Sequence, residues 1–288
     1  MGQKNQKQNQ KKKFRWIVTV LEIAVIIAAV IGVMQWHHLG PFQVKEKAAA
    51  TPKPTPSAVT YVNDSKEPSG EYVLDDATIQ SLRDEIAQDK SINQDIKGVL
   101  YFESGLIHKA VVQGTDNSYY IYHQWEDGSE GSTKNAGMLD YRNDLSRDDM
   151  NTIMYAHYWR RDNPEAYDDY GFTALRKLRD QSEYEANKYV VFVTETDIRY
   201  YEVAYAYTCP IVHTSDGDYP AEGMEYNRIS YDDQYFANYI EKVKQNEYYD
   251  TGVSIDYGDK FLTLQTCLQE TDDAHEVILC KELGRKSF

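Results

Sequence analysis

Two segments of the 288-residue chain end in side chains that could do chemistry together. Leu262-Thr263-Leu264-Gln265-Thr266-Cys267 reads as a strand ending in a thiol, and Asn151-Thr152-Ile153-Met154-Tyr155-Ala156-His157 as a strand ending in an imidazole. Taken singly, a strand cysteine is most often a buried apolar residue, and a histidine after a strand is most often structural. A thiol and an imidazole delivered by two different strand ends are the arrangement that cysteine acyl-transfer enzymes use. The other cysteines are Cys209 and Cys280. Three cysteines without a CxxC do not make a disulfide framework or a zinc site, although a bridge between those two stays open. His108, His123 and His213 are scattered and no HExxH occurs, so neither a metal nor another cofactor is expected. The acid pairs Asp168-Asp169 and Asp272-Asp273 read as solvated loops. The second pair follows Cys267 closely enough to face a substrate.

Those strand ends need a scaffold, and the chain supplies one after residue 71. Asp75 and Asp76 can cap a helix with the apolar stripe Ile79, Leu82 and Ile86. Strand-like runs follow at Ala110–Gln113, Tyr119–Tyr122, Gly137–Tyr141, Thr152–Ala156, Tyr189–Val193 and Tyr200–Tyr207, with a short helix around Phe172, Leu175 and Leu178. From Cys209 to Tyr226 the chain reads as a long polar loop. Ser230 with Asp232 and Asp233 opens a second helix along Tyr235, Phe236, Tyr239, Ile240 and Val243. Phe261–Thr266 and Glu276–Lys281 are the last strands. Many short strands with few helices predict one mainly β domain over 72–288, a closed barrel with peripheral helices. The 25 tyrosines suit its walls.

Residues 1–15 carry six basic residues and no acids, although the whole chain has a net charge of −15. The rest is too acidic for nucleic-acid binding, because it offers no phosphate-neutralising stripe. Ile17 to Met34 is a nearly unbroken apolar run between Trp16 and Trp36, broken by Glu22. About 18 residues is the lower limit for a spanning helix. Basic residues on its N-terminal side predict a cytoplasmic tail at 1–15, a transmembrane anchor at 16–37 and an extracellular domain. A cleaved signal peptide is the rival reading of that run. Residues 38–71 carry Pro41, Pro52, Pro54, Pro56 and Pro68, an extended spacer.

The motifs resemble those of class B sortases. Thr263–Cys267 is similar to the sortase TLxTC signature, and Asn151–His157 to the NTIxYGH segment, with Ala156 replacing glycine. Val111–Asn117 is similar to VVQGxDN, and Leu139–Asn143 to LDYRN, both of class B. The resemblance covers about residues 72–283, in order, and includes the helix from about Ser230 to Glu247.

It implies a sortase-type barrel of about eight strands and a cysteine transpeptidase that joins surface proteins to an amine. Cys267 would attack the carbonyl of a Thr–Gly bond in a C-terminal sorting signal of roughly NPxTG type. His157 would serve as acid and base, and a wall-precursor peptide or a lysine of another surface protein would accept the acyl group. Asn117, Gln265 and Thr266 would lie beside the substrate, although Asn117 also reads as a turn residue. Sortases place an arginine on the strand after the cysteine, where this chain has His275. Arg285 falls beyond the expected strand, and Lys281 reads as a solvated strand-end residue. Loss of one oxyanion donor costs about 100- to 1000-fold in rate. An ordinary histidine, with a pKa near ~6.5, would serve as a neutral N–H donor or as a cation about a quarter of the time at pH 7. An impaired domain that binds sorting signals or assists another sortase is the alternative. A cysteine peptidase using water is a third.

Overall fold

Alternation of apolar and polar residues along the β-branched and tyrosine-rich runs dictates sheet, and the structure, a computed structural model, is built around one. It describes residues 72–288, apart from Asp162 and Gln269. In chain order the elements are α1 (Asp76–Ile92), β1 (Ile96–Phe102), β2 (His108–Val112), α2 (Tyr119–Tyr122), β3 (Ala136–Leu139) and β4 (Asn151–Tyr155). Two 3-10 turns follow at Pro164–Tyr167 and Thr173–Arg179, then α3 (Gln181–Asn187), β5 (Tyr189–Thr194), β6 (Asp197–Thr214), β7 (Gly217–Pro220), α4 (Asp233–Asn246), β8 (Phe261–Cys267) and β9 (Ala274–Ser287).

The strands run in the order β5-β1-β2-β3-β4-β8-β9-β6-β7, and β5 also pairs with β6. Eight strands therefore close into a barrel, and β7 lies outside the closure as the return arm of a hairpin with Ile211–Thr214. The β2–β3 and β4–β8 pairs are parallel. Helix α1 begins as its sequence demands: the Asp75 carboxylate accepts from the Thr78 N–H at 2.9 Å, and Ile79, Leu82 and Ile86 are buried.

Strand parity separates two apolar clusters. Met154, Ala156, Leu262, Leu264, Ile278 and Cys280 point into the barrel with Phe102, Phe172 and Phe192. Phe261, Val277 and Leu279 point outward, where Phe236, Tyr239 and Val243 of α4 cover them. Burial of each such side chain is worth about 1.5–3 kcal/mol, so α4 is held by its packing on the barrel wall.

Several expectations need correction. Tyr119–Tyr122 is a helical turn, because the Asp116 carboxylate accepts from the N–H groups of Ser118 (2.7 Å) and Tyr119 (2.9 Å) and winds the chain there. The Cys209–Tyr226 segment is not all loop: β6 runs on through Cys209 to Thr214 and returns as β7. Strand β9 extends to Ser287 and contains Arg285, which pairs with Glu282 at the end remote from His275. Lys281 is in mid-strand and pairs with Asp259 at 2.8 Å. Strand β1 and helix α3 had no counterpart among the expected elements. Among the described residues no helix is long and apolar enough to cross a membrane, and the span expected at 16–37, with its tail and linker, lies outside them.

Candidate active site

Parallel pairing of β4 with β8 sets Tyr155 opposite Gln265. Beyond it the Ala156 N–H donates to the Gln265 carbonyl at 3.2 Å, and the Thr266 hydroxyl donates to the Ala156 carbonyl at 2.8 Å. Continued for two residues, this register puts His157 level with Cys267 on neighbouring strand tips, where backbones lie about 4.8 Å apart. On the other side of β8, Cys267 is directly opposite His275 of β9. Met154, Ala156, Leu264 and Ile278 point inward, so parity turns Tyr155, Cys267 and His275 to the outer face, and His157 continues it.

Each of these groups has a distinct environment. The Cys267 thiol is partly exposed, and burial pushes its pKa up. The charge of Arg160 opposes that rise and the charge of Asp272 adds to it. The His157 ring is partly exposed, and burial lowers its pKa against the opposing pull of the Ile121 carbonyl. Nε2 lies 3.0 Å from that carbonyl oxygen. A carbonyl only accepts, so Nε2 holds the proton and Nδ1 is the nitrogen left for proton transfer in the neutral ring. The backbone of His157 is also fixed, because its carbonyl accepts from the Phe172 N–H at 2.8 Å.

His275 is 8 % exposed, and burial takes its pKa down to about 4. It is therefore neutral near pH 7, which removes the cationic role considered for it. Its Nδ1 lies 2.8 Å from the Tyr226 hydroxyl, and burial holds that phenol well above the ordinary tyrosine range, so it stays protonated. Tyr226 is placed in turn by Asn151, whose amide donates to the carbonyls of Tyr226 and Arg228, both at 2.9 Å. The Asn151 side-chain oxygen accepts from the Thr263 hydroxyl at 2.7 Å. The asparagine that opens the histidine strand thus ties that strand to the cysteine strand and to the covering loop.

Asp140 is tied to the outer face of β4 through the Tyr155 hydroxyl. Its fully buried carboxylate accepts from Arg142 Nε and Nη2 (2.8 Å each), the Arg142 N–H (2.9 Å), Asn117 Nδ2 (2.9 Å) and the Tyr155 hydroxyl (2.7 Å). Burial alone would raise its pKa, but the hydrogen bonds and charge of Arg142 outweigh it and hold the carboxyl low. The Asn117 side-chain oxygen accepts from the Tyr141 N–H at 2.9 Å, so both ends of that amide brace the loop. Gln265 and Thr266 are 2 % and 0 % exposed. Asp272 pairs with Arg160, and Asp273 with His213. Cys209, Cys267 and Cys280 are all free thiols. Among the described residues no group of three or more His, Cys, Asp or Glu could hold a metal.

Sequence reasoning missed Tyr226, Arg160 and the Ile121 carbonyl. A main-chain oxygen leaves no mark in a sequence, and Tyr226 is one of 25 tyrosines. The only available signal for Arg160 was its place three residues after His157.

No protein-family model matches the chain. It is 27 % identical to sortase B of Listeria monocytogenes over 219 residues, which are 70 % of this chain and 75 % of that protein. Among solved structures, Clostridium perfringens sortase B is 25 % identical with a TM-score of 0.55, over 68 % of this chain and 98 % of the other. A Staphylococcus aureus sortase B–substrate complex is 22 % identical with a TM-score of 0.56, over 72 % and 88 %. By sequence and by fold, the chain is similar to the class B sortases.

Proposed function

We propose that this chain is a membrane-anchored transpeptidase that cuts a Thr–Gly-type sorting signal and passes the acyl group to an amine. The observation that supports this reading best is the register that turns Cys267 and His157 to one face on adjacent strand tips. The basic tail at 1–15, the span at 16–37 and the linker at 38–71 would hold the domain outside the cell.

The Cys267 thiolate adds to the threonine carbonyl, forming a C–S bond. The C–N bond to glycine then breaks as His157 gives its Nδ1 proton to the departing amine. The incoming amine attacks the thioester and loses a proton to Nδ1, and the thiolate leaves. Burial works against both charged partners, so the resting pair is neutral thiol and neutral imidazole. The reactive ion pair is then a minor species.

Purified full-length chain in detergent, given Thr–Gly peptides with and without an amine acceptor, tests this. Wild type forms an acyl-enzyme and a ligated product at the expense of hydrolysis, and Cys267→Ala forms neither. A thiol-reactive sorting-signal analogue that labels Cys209 or Cys280 in place of Cys267 would refute the assignment, and hydrolysis unaffected by amine would indicate a peptidase. The neutrality of His275 favours a second reading, a domain that binds sorting signals without turnover. Binding without cleavage, with turnover restored by His275→Arg, would support it.

A further inference from the structure

The oxyanion and thiolate of the proposed reaction are both negative, yet the group directly across from Cys267 is an uncharged imidazole. A fixed cation stands elsewhere at the same mouth. Arg160 lies three residues beyond His157 on the segment leaving β4, and its guanidinium Nη1 is ion-paired with Asp272 Oδ1. Asp272 sits in the short connection between β8, which ends at Cys267, and β9, which begins at Ala274. One ion pair thus joins the segment that follows His157 to the loop that follows Cys267.

We propose that Arg160, ion-paired with Asp272 beside the two strand tips, supplies the positive charge that steadies the Cys267 thiolate. Three further observations agree. The charges that act on Cys267 are Arg160, which favours the thiolate, and Asp272, which opposes it. Arg160 also acts on His275, alongside Asp218, His213 and Asp272, and so helps to keep that imidazole uncharged. The Arg160 side chain is 38 % exposed and that of Asp272 is 73 % exposed, so the pair is held by little packing and can exchange partners when substrate enters. In the resting protein Asp272 would partly mask the guanidinium. An incoming peptide that displaces the carboxylate would leave the arginine facing the sulfur and the developing oxyanion. This inference rests on the transpeptidase reading, and its test needs no substrate.

The test is the pH dependence of Cys267 alkylation by iodoacetamide in the full-length chain, read peptide by peptide by mass spectrometry. Cys209 and Cys280 are 0 % exposed and serve as internal controls for folding. Arg160→Gln should raise the alkylation midpoint by about half to one pH unit, which is about 3- to 10-fold slower modification at pH 7. Arg160→Lys should stay near wild type, and Asp272→Asn should move the midpoint down. Opposite movement separates charge from bracing, because both variants break the same ion pair and a purely structural tether would move both the same way. An unmoved midpoint in Arg160→Gln, or movement of both variants in one direction, overturns the proposal. If Cys209 and Cys280 become reactive in Arg160→Gln, Arg160→Met, which keeps the apolar stem, takes its place under the same criteria. A shift without any ligation by wild type would refute the transpeptidase reading alone, and ligation without a shift would refute only the role of Arg160.

Discussion

Gly171→Ala offers a sharp test of how the imidazole is positioned. Gly171 has φ +52°, and a Cβ built there would lie 2.2 Å from the His157 carbonyl oxygen, 2.9 Å from its carbon and 3.0 Å from its nitrogen. All three contacts are backbone, so no flexible side chain can yield. An ordinary carbon–oxygen contact is about 3.2 Å or more, and His157 and the 170–172 segment must therefore separate by about 1 Å. That separation stretches the Phe172 N–H to His157 carbonyl bond, now 2.8 Å. Left-handed backbone costs a non-glycine residue about 1–2 kcal/mol, and loss of the hydrogen bond about 1 kcal/mol more. The sum, about 2–3 kcal/mol, corresponds to a fall in melting temperature of about 4–12 °C for a domain of this size. A displacement of about 1 Å at a catalytic group costs on the order of 100-fold in rate. Gly252→Ala is the matched control, because its φ is +77° and nothing lies within 4 Å of the built Cβ. It bears the backbone strain without the collision. Ligation kinetics and thermal melts on both variants separate the two effects. Equal activity in Gly171→Ala and Gly252→Ala would refute the claim that this contact sets the imidazole.

Two other outcomes follow from the charges of the site. The pH profile of kcat/KM for ligation should be a broad plateau, with its acid limb below the usual imidazole value of about 6.5 and its alkaline limb above the usual thiol value of about 8.5, because burial lowers His157 and raises Cys267. A narrow optimum between crossed limbs would contradict a neutral resting pair. Asp140→Asn should destabilise the domain by about 3 kcal/mol, the low end for breaking a buried ion pair, because the Arg142 side chain keeps 28 % exposure. The Asp140 pKa is lowered in the fold, so its contribution is present above the unfolded carboxyl pKa of about 3.9 and disappears as pH falls through the folded value. Urea unfolding at pH 7 should show the full difference between wild type and variant, and the two curves should converge in strong acid.

The proposed nucleophile and base were picked out in the sequence because each ends an apolar strand, and the structure does set Cys267 and His157 at the ends of the paired strands β8 and β4. Helices α1 and α4 were legible for a similar reason, since Asp75 and Asp232 cap them and each buries one stripe. Failures came where local propensity and tertiary context part. Four consecutive residues Tyr119–Tyr122 favour strand by side-chain type, but Asp116 closes a helical turn ahead of them, and Tyr120 and Ile121, which are sequence neighbours, are both buried. Pro210 looks like a strand terminator, yet β6 passes through it, since a strand position that need not donate tolerates proline. The supports of the site were hidden for a third reason. Tyr226 meets His275 across 49 residues, and Arg160 meets Asp272 across 112, pairings that only the closed barrel creates.

The two-residue repeat that separates the cores also decides what the site can do. Leu264 and Ile278 fill the barrel while Val277 and Leu279 support α4, so β8 and β9 are packed on both faces and cannot slip in register without moving a whole apolar set into the wrong layer. Cys267 and His275 are the terminal cross-strand pair of that ladder. Their alignment is therefore fixed by core packing, at a point where the outer cover thins enough to leave the thiol partly exposed. The same burial that enforces this precision makes charge expensive: it raises Cys267, lowers His157 and neutralises His275. A rigid but charge-averse site needs a cation that keeps its hydration until it is used. Arg160, partly exposed and ion-paired with Asp272, meets that requirement.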